Sequence, residues 1–156
     1  MTVRARATIV GGVLLGLAAG ASALAAEWPA PVAEAMKERV DAGAGEGGRI
    51  ANPDRAVRRL DLDGNGRDDF ILDDNRLVCS KGAPGWCGSG GCSMEVFLSG
   101  AKGGLKSVLT ELGSGYEVKK SGKGHRVTFR TRNGAVAYRF AEGCAIPTGR
   151  RGERSC

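Results

Sequence analysis

Between residues 93 and 144 the chain is divided by glycine into short apolar segments. Residues 94–98, 105–112, 116–119, 126–130 and 135–141 are separated by Gly100, Gly103-Gly104, Gly113, Gly122 and Asn133-Gly134. Such spacing leaves no room for helices of ordinary length but suits strands of four to eight residues. Alternation is cleanest in 126–130, where Val127 and Phe129 fall on one face. Asn133-Gly134 between two such runs is a strong hairpin signal. The segment predicts an antiparallel meander.

The other end of the chain reads as an export signal. Arg4 and Arg6 precede an uncharged stretch, residues 7–26, and Ala23-Leu24-Ala25 fits a small-residue cleavage site. The pattern predicts a signal peptide over 1–25, a mature start at Ala26, and a periplasmic or secreted protein. The rival is an uncleaved anchor; the stretch is rich in Ala and Gly and makes a weak span, so no stable transmembrane helix is expected. The arginines are not adjacent, against twin-arginine export. From Ala26 onward about 37% of residues are hydrophobic, against 42% for the whole chain of 156. That supports one small domain and excludes a large α/β enzyme with a nucleotide crevice.

In an exported chain the five cysteines, Cys79, Cys87, Cys92, Cys144 and Cys156, read as disulfide partners. An odd count leaves one unpaired, and fifteen connectivities are open. Cys79, Cys87, Cys92 and Cys144 are the favoured partners. Cys156, at the last position, is the favoured loose end, with a bridge to Cys144 as the alternative. Zinc is disfavoured: Cys87 and Cys92 lack knuckle spacing, and His125 is the sole histidine.

The sequence predicts four parts. Residues 1–25 are the signal. Residues 26–48 hold a short helix over 28–41 and a flexible linker; Pro31 suits a first turn, and Val32, Met36 and Val40 recur every four residues. Residues 49–147 form a single β-rich domain, and 148–156 a basic tail without fixed structure. The fold class is therefore mainly β: a small antiparallel meander with a short N-terminal helix, disulfide-stabilised, preceded by a signal peptide.

Residues 61–72 carry the most specific chemistry. Asp61, Asp63, Asn65 and Asp69 place side-chain oxygens at positions 1, 3, 5 and 9, with Gly66 at the sharp turn and the Arg67 carbonyl at position 7. Hard cations such as Ca2+ want six or more oxygens, which alternating Asp and Asn in a tight loop supply. Position 12 is Leu72, not the Glu of an EF-hand, and Phe70-Ile71-Leu72 continues as an apolar strand. A solvated turn uses the same residue types. However, six carboxylates stand against one arginine between Asp61 and Asp74, and a cation relieves that repulsion.

This pattern resembles the calcium loop of FG-GAP and VCBS repeats. The resemblance implies Asp61, Asp63, Asn65 and Asp69 as side-chain ligands and Arg67 as a carbonyl ligand. It covers about a dozen residues and occurs once, so no propeller is implied. The layout of signal, acidic loop, Cys87-Gly-Ser-Gly-Gly-Cys92 and meander also resembles small exported bacterial proteins of uncharacterised function, which brings no activity with it.

Cys87 as nucleophile with His125 as base is a sharper alternative; a disulfide-held glycine turn is the favoured reading, with His125 exposed. Residues 102–154 hold 12 basic and 4 acidic residues, a face that can attract anionic lipid, lipopolysaccharide, nucleic acid or an acidic protein; solvated strand edges, where Lys and Arg deter edge-to-edge pairing, are the favoured reading. No nucleic-acid motif is present. The expectation is an exported calcium-binding module of the cell envelope, with a structural metal and no assigned catalytic residue. Its partner would be an envelope protein or an anionic surface component. An envelope inhibitor using the basic face and a small hydrolase or thiol enzyme are the rivals.

Overall fold

The structure, a computed structural model, describes residues 28–44, 49–80, 86–149 and 154–156. The expected signal peptide lies outside them, as do residues 45–48 of the expected linker. Among the described residues no helix is long and apolar enough to cross a membrane.

The chain is mainly β, as its glycine spacing predicts. Among the described residues one α-helix, α1 (Ala30–Ala44), precedes eleven strands: β1 (Ile50–Ala51), β2 (Val57–Leu60), β3 (Asp69–Asp73), β4 (Val78–Cys79), β5 (Cys87–Gly88), β6 (Gly91–Ser99), β7 (Leu105–Gly113), β8 (Tyr116–Ser121), β9 (Gly124–Thr131), β10 (Gly134–Ala141) and β11 (Cys144–Pro147). Every pairing is antiparallel. Strands β8 to β11 form the meander, in the order β11-β10-β9-β8. A second sheet runs β2-β3-β6-β5, with β7 also on β6, and β1 pairs with β4 in a separate ribbon.

Three layers result. Ile71, Met94, Val96, Leu98, Val108 and Leu109 of the second sheet meet Val127, Phe129, Tyr138 and Phe140 of the meander in one core. On the other face Phe70, Leu72 and Phe97 meet Val32, Ala35 and Met36 of α1. The central strand β3 is thus buried along its whole length, which is why Phe70-Ile71-Leu72 reads as an unbroken apolar run. Each such side chain contributes about 1.5–3 kcal/mol by leaving water. A bulge opposite Val96 and Phe97 leaves Val108 outside the β7 register, so adjacent Val108 and Leu109 both reach the core. The Tyr138 hydroxyl donates to Glu111 at 2.6 Å, tying β10 to β7. Burial first, and then this carboxylate, raise the tyrosine above the usual phenol range.

Several local expectations shift. The helix begins and ends later than 28–41, running through Ala42–Ala44 of the expected linker. Its buried stripe is Val32, Ala35 and Met36, continued by Arg39 rather than by Val40, which is 37% exposed. Arg39 bonds Asp74 at 3.1 Å and Glu95 at 3.0 Å; an arginine here docks the helix through two buried or half-buried carboxylates. The β9–β10 turn sits one residue earlier than Asn133-Gly134. Thr131 pairs with Gly134 across Arg132-Asn133, and Gly134 takes φ 105° as the first residue of β10.

The cysteine pairing corrects the sequence on two points. Cys87 bonds Cys92, and Cys144 bonds Cys156, whereas Cys79 is a free thiol. Cys87 and Cys92 face each other directly across the tight β5–β6 hairpin, while Cys79 is committed to Ile50 of β1. Cys156 is no loose end, because the tail folds back. Ser155 exchanges two backbone hydrogen bonds with Ala145, at 2.7 and 2.9 Å, which carries Cys156 to Cys144.

Candidate metal centre

The acidic loop joins β2 to β3, and its first aspartate organises it. Asp61 Oδ1 accepts hydrogen bonds from the backbone N–H groups of Gly64 (2.7 Å) and Asn65 (3.1 Å). Its Oδ2 accepts from Gly66 N–H at 2.9 Å. Asp63 Oδ1 accepts from Asn65 N–H at 3.1 Å, and Asn65 Oδ1 from Arg67 N–H at 2.8 Å. Short oxygen-bearing side chains thus bind the backbone a few residues on, as Asp and Asn do in turns. Gly66 has φ 80°, so the sharp turn at position 6 uses the left-handed region that glycine enters without strain.

Long-range contacts then fix the loop. Asp69 has 0% exposure. Its Oδ2 accepts from Leu62 N–H at 2.7 Å, and its Oδ1 from Ser99 N–H at 2.8 Å and Ser99 Oγ–H at 3.0 Å. Asn65 Nδ2 donates to Asp63 Oδ2 at 3.0 Å and to the Ser99 carbonyl at 3.2 Å, and the Arg67 guanidinium donates to the Gly100 carbonyl. From the meander, His125 N–H donates to the Leu62 carbonyl at 2.8 Å, and its ring Nδ1 lies 2.7 Å from the Asp61 carbonyl oxygen. Sequence reasoning missed Ser99 and His125 as supports of this loop; they lie 30 and 64 residues from their partners, beyond any local pattern.

Of the five predicted ligands, the structure brings three together. One carboxylate oxygen from each of Asp61, Asp63 and Asp69 lies within 4.8 Å of the others. Asn65 and Arg67 are held beside them, the Asn65 oxygen on the Arg67 N–H. A calcium ion binds oxygens at about 2.3–2.6 Å, so ligands across it are up to about 5 Å apart. The cluster has that span and offers hard oxygen donors.

The charge distribution separates these three aspartates from their neighbours. Asp68 pairs with Arg59, Asp73 with Arg76 at 3.3 Å, and Asp74 with Arg39. The imbalance seen between Asp61 and Asp74 is therefore met in part by arginines from outside that window. Among the described residues Asp61, Asp63 and Asp69 have no ion pair. Two unit charges at such a distance repel by about 3–4 kcal/mol at an effective dielectric of 20. Burial raises the Asp69 carboxyl above its ordinary value, against the hydrogen bonds from Ser99 and Leu62, and Asp63 pushes the same way as burial.

The alternative thiol chemistry lacks its nucleophile, since the Cys87 sulfur is bonded to Cys92. His125 is half-buried against the acidic loop instead of standing exposed. Comparison of the chain with protein-family models, curated proteins and solved structures finds no match.

Proposed function

We propose that this is an exported, calcium-binding β-module of the cell envelope in which the ion is structural. The observation that carries the reading is the convergence of Asp61, Asp63 and Asp69 within 4.8 Å, while Asp68, Asp73 and Asp74 each have an arginine. The loop's resemblance to FG-GAP and VCBS calcium loops supports the same assignment. Asn65 and the Arg67 carbonyl would complete the shell, with water filling the remainder of six to eight positions. Two disulfides suit an oxidising compartment.

A bound Ca2+ would offset two of the three carboxylate charges and cross-link the start of the loop to the start of β3. Asp69 holds Ser99, and Asp61 and Leu62 hold His125 through their carbonyls, so that cross-link would stiffen the place where the two sheets meet. Thermal unfolding with and without Ca2+ tests this. Calcium is expected to raise the melting temperature, and Asp63→Ala to remove the rise; an identical rise in Asp63→Ala counts against the site.

A further inference from the structure

The outer face of the meander carries a row of cations that the strand register places side by side. Inward positions of β9 and β10 are Val127, Phe129, Val136, Tyr138 and Phe140, so the alternate residues face outward. Lys119 of β8 lies directly opposite Arg126 of β9, and Arg126 directly opposite Arg139 of β10. All three are exposed. With strands about 4.8 Å apart, the row is about 10 Å long. Arg130 adds a further cation on the same face of β9. The one acid among these outward positions is Glu117, which pairs with Lys119 at 3.2 Å; Arg126 and Arg139 have no acidic partner among the described residues.

Like charges directly opposite on a sheet are unfavourable. Protection of strand edges explains scattered lysines but not this row, because β9 and β10 are interior strands of their sheet. We infer that this face docks on an anionic lipid surface. Thr128, Ala135 and Ala137 beside the row are small, so the face is low and open. The clefts beside Trp28, Leu112 and Asn65 involve other residues. A flat array of cations matches a flat array of headgroup phosphates, to which guanidinium groups donate in pairs. No aromatic side chain stands at the outward positions to stack a nucleic-acid base. A sheet face, with its main chain already paired, offers an acidic peptide no strand to extend. The large apolar neighbour in register, Ile146 of β11 opposite Arg139, is half-buried, so binding is peripheral and governed by salt.

Cosedimentation with phosphatidylcholine vesicles, with and without about 30% phosphatidylglycerol, tests the inference. The protein is expected to bind only the anionic vesicles and to be released at about 0.5 M NaCl. Arg126→Gln/Arg139→Gln should weaken binding about tenfold or more, whereas Arg55→Gln/Lys102→Gln, with the same change in net charge, should leave most of it. The melting temperature of the first double variant should hold or rise, because opposed charges are removed. Equal binding to neutral vesicles, equal loss in both double variants, or no binding to anionic vesicles overturns the proposal.

Discussion

His125 Nδ1 lies 2.7 Å from the Asp61 carbonyl oxygen, so the first residue of the acidic loop is held by the opposite sheet. The next residue back, Gly124, makes that approach possible: a Cβ there would lie 2.3 Å from the Leu62 carbonyl oxygen, well inside contact distance. Gly124→Ala must therefore separate loop from hairpin and is expected to destabilise by about 2 kcal/mol or more. His125→Ala leaves the carbonyl unpaired and should cost about 1–2 kcal/mol. Gly66→Ala is the contrast, since its Cβ would meet nothing within 4 Å and only φ strain of about 1 kcal/mol remains. Urea denaturation should rank the three in that order, and a Gly124→Ala protein as stable as the wild type would contradict the seam.

The tail carries its own test. The oxidised protein should titrate with one free thiol, Cys79, and Cys156→Ser with two. Because the Cys144–Cys156 bridge closes twelve residues, its loss should cost up to about 3 kcal/mol. No free thiol in Cys156→Ser would mean that Cys79 takes the vacated partner.

Helix docking should depend on pH through Asp74. Burial pushes its carboxyl up to about 6, against the attraction of Arg39, and Asp73 and Glu95 add to the rise. A folded-state value above the unfolded one means that the native state binds the proton more tightly. The contribution is therefore present in full below about pH 4 and lost as pH rises through about 6. Relative to Asp74→Asn, the wild type should gain on the order of 2 kcal/mol between pH 7.5 and pH 4. Denaturation curves of the two proteins that stay parallel across that range would refute the assignment.

Much of this was legible from period and punctuation. Val127 and Phe129 alternate into the core, and Phe70-Ile71-Leu72 forms a strand immediately after the acidic loop. Positions decided by tertiary contact were not. Arg39 occupies the helix stripe because Asp74 and Glu95 wait beneath it, and Cys156 pairs because Ser155 bridges Ala145. Within the loop, the motif marked five ligands. Which aspartates cluster depends on Arg59, Arg76 and Arg39 claiming the others, and those arginines lie outside the motif.

Whether Asp61, Asp63 and Asp69 hold a calcium ion is decided by calorimetric titration with Ca2+, using Asp63→Asn and Asp68→Asn side by side. Both variants remove one acid from the same loop, but Asp68 is exposed and paired with Arg59, whereas Asp63 belongs to the cluster. One site per chain is expected in the wild type and in Asp68→Asn, and none in Asp63→Asn. Absence of binding by the wild type at millimolar calcium, or equal binding by both variants, would contradict it.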